Sequence, residues 1–115
     1  MQISERRYLA TQGTLNANGT ISPQLDLEGF SVLGLMIHDT PAIGTLTFQA
    51  GSGNPANLTW HTIVDNAGDA ESLTLNASVA FGGDSLKFLE PYRYVRMVSS
   101  VQQTNGLQFS ITMKS

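Results

Sequence analysis

The fold class is indicated by the closing stretch of the chain, Asn105-Gly106-Leu107-Gln108-Phe109-Ser110-Ile111-Thr112-Met113-Lys114. From Leu107 onward, apolar and polar side chains alternate with a period of two. Successive side chains of a β-strand point to opposite faces, so this pattern gives one apolar face and one polar face. Asn and Gly both tolerate positive φ and mark a turn. The stretch therefore predicts a half-buried strand that follows a turn.

A second alternating stretch, Tyr92–Ser99, precedes it and places Val95 and Met97 on a common face. Pro91 has no N–H to donate, which suits the start of a strand. The two stretches are separated by a short segment near Val101–Gly106. We expect them to pair as a β-hairpin.

The rest of the chain shows the same period, punctuated by Gly, Pro, Asn and Asp, and almost no helical period. The sequence predicts an all-β fold, a single antiparallel β-sandwich or jelly-roll-like domain of about seven or eight strands over residues 8–115. Residues 1–7 are expected to form an N-terminal arm. The further predicted strands are Tyr8–Leu15, Ile21–Leu27, Phe30–His38, Gly44–Gly51, Trp60–Asp65, and Ser72–Leu75 with Ser78–Phe81 as one strand or two fragments.

Two of these segments carry a more specific expectation. Phe30–His38 is almost continuously apolar, which predicts a central strand covered on both faces. Gly44–Gly51 alternates, so Leu46, Phe48 and Ala50 are expected to share a buried face. Leu86–Glu90 is expected to form a single helical turn.

Composition limits the classes of function. The 115 residues suit one domain, and 13% of them are charged, about half the usual share. The six basic residues form no run, so a nucleic-acid partner is not expected. The chain has no cysteine, which excludes disulfides and thiolate ligands. The longest apolar-rich run, Phe30–Ile37, is too short for a membrane helix. The N-terminus lacks the apolar stretch of a signal peptide, so synthesis in the cytoplasm and no membrane partner are expected.

The sequence points to no catalytic, cofactor-binding or metal-binding residues. His38 and His61 each lack a second histidine nearby, so both are expected to serve structure. A nucleophile-elbow motif is missing, and an esterase-like enzyme would need His38 or His61 beside a serine. The segment Asp65–Glu71 has several carboxylate and amide oxygens, but its spacing favours a turn over a calcium loop.

Aromatic side chains raise a different possibility. Trp60 and Tyr92 could stack on a sugar ring, since aromatic residues act as anchors at binding surfaces. For Trp60, packing in the core is the favoured interpretation. Tyr94 and Arg96 are expected to stabilise the domain rather than to bind a ligand.

The order of these segments resembles small β-sandwich virion proteins of tailed bacteriophages. The likeness covers roughly residues 8–113. The matching pieces are Leu25-Asp26-Leu27-Glu28-Gly29, Phe30–Ile37, Leu46-Thr47-Phe48-Gln49, Trp60, Tyr92-Arg93-Tyr94-Val95-Arg96, Gln102-Gln103-Thr104-Asn105 and Leu107–Met113. The Arg-Tyr-Val-Arg strand is also similar to that of discoidin-like carbohydrate-binding modules, which are usually longer and often carry cysteines.

The phage resemblance implies a capsid decoration, or cement, protein. Such a protein sits on the capsid surface of the virion, often as a homotrimer, and stabilises contacts between copies of the major capsid protein. Arg6, Arg7 and Tyr8 are then expected to contact the capsid or a sister subunit. Two alternatives stay open: a tail, neck or baseplate adaptor of a virion, and a discoidin-like carbohydrate-binding module. Trp60 or Tyr92 would be the stacking aromatic in the second.

Overall fold

The computed structural model describes residues 8–15, 19–27, 31–38, 41–75, 80–103 and 106–114. They form ten β-strands and one 3₁₀ helix. In chain order these are β1 Tyr8–Leu15, β2 Gly19–Ile21, β3 Leu25–Asp26, β4 Ser31–Ile37, β5 Gly44–Ser52, β6 Thr59–Thr62, β7 Ser72–Leu75, β8 Ala80–Gly82, the 3₁₀ helix Gly83–Leu89, β9 Tyr94–Gln103 and β10 Leu107–Lys114.

The strands form two antiparallel sheets. The four-stranded sheet has the order β1-β10-β4-β8. The six-stranded sheet has the order β2-β9-β5-β6, with β3 also paired to β9 and β7 also paired to β5. The all-β prediction is therefore confirmed. The helix is short, and no described helix has the length and apolar character needed to cross a membrane.

One hydrophobic cluster takes side chains from both sheets, and period-two alternation accounts for its members on β5 and β9. On β5, Leu46, Phe48 and Ala50 are buried, as predicted. On β9, Val95 and Met97 are buried on one face, as predicted. The 3₁₀ helix adds further apolar side chains, and the ring of Phe88 meets that of Phe48 edge to face with centroids 5.1 Å apart.

The apolar strand β4 lies between β10 and β8, so its central position is confirmed. It is not covered on both faces, because Met36 is 43% exposed. The apolar side chains of β4 depart from simple alternation because its pairing with β10 is irregular. The register with β10 shifts between Thr112 and Met113, so Val32 and Leu35 are both buried although three positions separate them. Such an irregularity changes which residues face the core.

The predicted hairpin between the last two strands is wrong. β9 pairs with β2, β3 and β5, whereas β10 pairs with β1 and β4 in the other sheet. The Gly106 N–H donates to the Gln103 carbonyl oxygen at 2.9 Å, and Gly106 has φ of 75°. A turn signal indicates where the chain reverses, but it carries no information about which strands pair beyond it.

One predicted strand is divided and another stretch forms two strands, one of its two predicted outcomes, so the number rises above the seven or eight expected. Ile21–Leu27 becomes β2 and β3, both on β9, because Pro23 has no N–H for a continuous ladder. The stretch from Ser72 becomes β7 in one sheet and β8 in the other. The predicted helical turn is confirmed as a 3₁₀ helix that begins earlier than expected. Residues 1–7 lie outside the described residues, so the arm stays a prediction.

Candidate functional site

The outer face of the six-stranded sheet is made by side chains that alternate with the buried ones. Register fixes which residues share this face: Gln49 pairs with Arg96, Gly51 with Tyr94, and Gly51 also with Trp60. The paired outward positions are Thr45, Thr47, Gln49, Gly51, Trp60, Thr62, Ser72, Thr74, Tyr94, Arg96 and Val98. Arg96 is the one charged residue among these eleven. β3 adds Asp26, which pairs with Tyr94 and so lies on the same face. The face therefore has few charged side chains and carries two aromatic rings and a guanidinium.

Trp60 lies on this outer face and is half-buried, so its predicted place in the core is wrong. The cause is the β5–β6 register, which sets Trp60 opposite Gly51 and leaves Ile63 as the buried apolar side chain of this segment. A Cβ at Gly51 would approach the Leu58 side chain to 2.9 Å and the Trp60 ring to 3.2 Å. The glycine thus lets the indole lie close to the sheet.

Arg96 is held in place by two contacts. Its Cζ lies 4.4 Å from the centroid of the Trp60 ring, a cation–π geometry. Its Nε donates to Gln49 Oε1 at 2.6 Å. Together these contacts fix the plane of the guanidinium. Sequence reasoning missed Gln49, because its position opposite Arg96 depends on a strand pairing that alternation alone does not specify.

Arg93 lies just before β9 and has a different partner. Its Nε and Nη2 donate to the two oxygens of Asp26, at 2.9 and 3.1 Å. Its Cζ lies 5.0 Å from the ring centroid of Tyr94. The positive charge of Arg93 is therefore neutralised by a bidentate carboxylate.

A cleft of about 280 Å³ lies at the end of β5, beside the outer face. Tyr92, which is 38% exposed, and the exposed Val64 line it, together with the pair Ser52 and His61. The Ser52 Oγ and His61 Nε2 are 3.1 Å apart. Tyr92, one of the two proposed stacking aromatics, thus lies near polar side chains, whereas Trp60 is engaged by Arg96.

A second cleft, of about 240 Å³, is lined by Gly13, Thr14, His38, Gln108 and Phe109. The His38 Nε2 lies 2.5 Å from Ser110 Oγ. Both histidines therefore lie beside a serine, the condition set for an esterase-like enzyme. The Ser110 residue is only 5% exposed and does not line the cleft, so its hydroxyl is screened from a substrate.

The segment from Asp65 to Glu71 forms a turn, as predicted. Asp65 Oδ1 accepts from the backbone N–H groups of Ala67 at 2.8 Å and Asp69 at 3.0 Å. Gly68 has φ of 86°, and Val64 and Ala70 form an antiparallel bridge. Within the described ranges, no group of three histidine, aspartate or glutamate side chains is placed to hold a metal ion.

Of the three predicted contact residues, Arg6 and Arg7 lie outside the described residues. The backbone of Tyr8 begins β1 and pairs with Lys114 of β10. Tyr8 is therefore part of a sheet rather than of a preceding arm.

Comparisons with known proteins concern the fold. No family model matches the chain, and a search of curated proteins found no match. Among solved structures, the chain is similar to the crystal structure of SPBc2 prophage-derived protein YomS, with a TM-score of 0.54. The two chains are 12% identical, and the alignment covers 100% of this chain and 99% of the other. At this identity the likeness concerns the fold alone, and it extends over both sheets.

Proposed function

We propose that this chain is a structural protein of a bacteriophage virion, and within the virion a capsid decoration protein that stabilises contacts between major capsid subunits. The observation that carries the proposal is the fold likeness over the full length to a prophage-derived protein. It agrees with the order of sequence segments that resembles small phage virion proteins. The partner would be the major capsid protein, and the location the capsid surface.

The finer fold proposal is a β-sandwich of jelly-roll type. Its support is the single hydrophobic cluster, to which Phe48 of one sheet and Phe109 of the other both belong. Two sheets that share one core leave their outer faces available for partners. An antiparallel sheet tolerates one such open face.

A binding role is also favoured by the surface chemistry. Burying charged side chains against a partner costs free energy unless each charge is paired. The outer face of the six-stranded sheet carries mostly hydroxyl, amide and aromatic side chains, so a large area can be covered at a low desolvation cost. We propose binding rather than catalysis. Ser110 is buried, and the side-chain hydrogen bond that His61 makes joins it to the Ser52 hydroxyl rather than to a carboxylate.

The first experiment is binding to phage heads that lack this protein. Purified chain is mixed with empty heads, and the bound fraction is measured by sedimentation and then located by electron microscopy. We expect saturable binding at regular positions of the shell. Binding to tails or necks instead would replace decoration with the adaptor alternative. Absence of binding to any virion part would overturn the proposal.

The proposed homotrimer is tested by light scattering after size exclusion, with a trimer mass expected. The arm is tested by deleting residues 2–7, with the double variant Arg6→Gln, Arg7→Gln as a charge-only comparison. If Arg6, Arg7 and Tyr8 contact the capsid or a sister subunit, the deletion lowers head occupancy or dissociates the trimer. Unchanged head occupancy and an unchanged oligomer mass would show that the arm contacts neither the capsid nor a sister subunit.

A second candidate function, carbohydrate binding, is favoured by the cleft at Tyr92. An exposed aromatic ring beside hydroxyl and imidazole groups matches the chemistry that stacks on and hydrogen-bonds a sugar. Glycan-array binding that Tyr92→Ala abolishes and Tyr92→Phe retains would support it. Binding unaffected by Tyr92→Ala would exclude this cleft as the sugar site.

A further inference from the structure

Two arginines at one end of the outer face differ in their partners. Arg93 donates two hydrogen bonds to the carboxylate of Asp26. Arg96 has an amide as its hydrogen-bond acceptor, since Gln49 Oε1 takes the proton of its Nε. Within the described parts of the chain, no carboxylate lies within ion-pair distance of Arg96. A half-buried guanidinium is thus held in a fixed position with no counter-charge from the part of the chain that the structure describes.

The contacts of Arg96 leave a defined part of it available. The stack on Trp60 occupies one side of the plane, and Gln49 occupies Nε. The Nη donors remain, in a planar fork that matches the two oxygens of a carboxylate. Because Trp60 and Gln49 already fix the side chain, little conformational entropy is lost when a carboxylate binds.

We propose that the outer face around Trp60, Tyr94 and Arg96 is the docking surface for a protein partner, and that Arg96 receives an aspartate or glutamate side chain of that partner. The inference rests on the proposed function, in which the partner is a virion protein. It adds which face docks and which chemistry is recognised. It also departs from the expectation that Arg96 serves the structure of the domain alone.

The surroundings favour a protein over a small acidic ligand. The clefts described above are lined by neither Trp60 nor Arg96, so the face offers a sheet surface rather than a concave pocket. Tryptophan, tyrosine and arginine are the residues that dominate the centres of protein interfaces, and lysine and acidic residues are depleted there. Three of the eleven outward positions, Trp60, Tyr94 and Arg96, are of these types, and none of the eleven is lysine or an acidic residue. Asp26 on this face is already bonded to Arg93, so Arg96 remains complementary to an acidic side chain of a partner.

The decisive variant is Gln49→Glu. It is nearly isosteric and places a carboxylate on the chain itself beside Arg96 Nε, where the amide oxygen now lies 2.6 Å away. We expect the variant to fold with an unchanged or higher melting temperature and to bind heads at least about tenfold more weakly, because Arg96 is already neutralised. The matched control is Gln102→Glu, the same change at an exposed position about 20 Å further along β9. Its binding should equal that of the parent chain.

A second pair of variants separates the geometry from the charge. Arg96→Lys keeps the positive charge but loses the planar fork, so we expect weaker binding to heads. Arg93→Gln removes a neighbouring positive charge that Asp26 already neutralises, so we expect binding within about twofold of the parent. Melting curves of all variants establish that each is folded at the assay temperature.

The outcomes are distinguishable. If the parent chain binds heads and Gln49→Glu binds equally well, the inference is wrong while the proposed function stands. If Arg93→Gln weakens binding and Arg96→Lys does not, general charge rather than a carboxylate site is responsible, and the inference is wrong. If Gln49→Glu dissociates an oligomer in solution, the face belongs to a sister subunit instead. If the parent chain binds no virion part, both proposals are overturned.

Discussion

The ring of Phe109 lies against the backbone of Gly13, its partner across the β1–β10 pair, so closely that a Cβ on residue 13 would overlap the ring. Phe109 is fully buried. Glycine at position 13 therefore leaves the space that the Phe109 ring occupies. The ring can hold this position only if residue 13 has no side chain.

Replacing Gly13 by alanine should lower the free energy of unfolding by about 1–3 kcal/mol, because the ring or the strand must shift to admit the methyl group. Urea unfolding measures the change. Gly34→Ala is the control, since a Cβ there would meet the Phe81 carbonyl oxygen at 3.5 Å, an ordinary contact. Equal losses for the two variants would show that the Phe109 contact is not the cause.

The buried amide of Gln103 should be a second point of sensitivity. Its Oε1 accepts from the Ala42 N–H at 2.8 Å, and its Nε2 donates to the Ala42 carbonyl at 3.3 Å and to Ser99 Oγ at 3.2 Å. Gln103→Leu leaves these groups without their partner and should cost about 1–3 kcal/mol of unfolding free energy. Gln102→Leu, at the exposed neighbour, should change stability by less than about 0.5 kcal/mol. A smaller loss at Gln103 than at Gln102 would contradict this account.

Trp60 and Arg96 should be energetically coupled. A double-mutant cycle with Trp60→Leu and Arg96→Gln, measured by denaturant unfolding, should give a coupling free energy of about 0.5–1 kcal/mol, as expected for a partly exposed cation–π pair. Trp60 is the single tryptophan, so its fluorescence reports the same contact and should shift in Arg96→Gln. Strictly additive losses would mean that the ring and the guanidinium do not interact.

The ion pair between Arg93 and Asp26 should contribute little to stability despite its two short hydrogen bonds. The Arg93 side chain is 59% exposed, and an ion pair in contact with water gains little net free energy. Asp26→Asn should therefore lower the free energy of unfolding by less than about 1 kcal/mol, and 1 M NaCl should shrink the difference. A loss of several kcal/mol that salt leaves unchanged would show that the pair is more important than its exposure indicates.

The sequence-based predictions were less accurate for which strands pair than for which side chains of a strand are buried. The alternation of Leu46, Phe48 and Ala50 correctly predicted which side chains are buried, because the two faces of a strand follow from backbone geometry alone. The same reasoning paired the last two strands with each other. Their actual partners lie in different sheets, since long-range pairing depends on how the whole set of strands packs.

Trp60 shows the same limit at the candidate site. Its size and apolar character favoured the core, and only the register with Gly51 turns it outward onto Arg96. Nothing in the sequence around Gln49 indicates that it contacts Arg96, because that contact depends on the strand register.

The amino-acid sequence by itself determined that the chain is all-β, where most of its strands lie, and which side chains of β5 and β9 face inward, because these properties depend on residues near one another along the chain. Only the tertiary structure decided that Trp60, Gln49 and Arg96 meet on one face and that Asp26 bonds to Arg93 rather than to Arg96. Those relationships join residues more than ten positions apart, and the packing of both sheets around one core selects them.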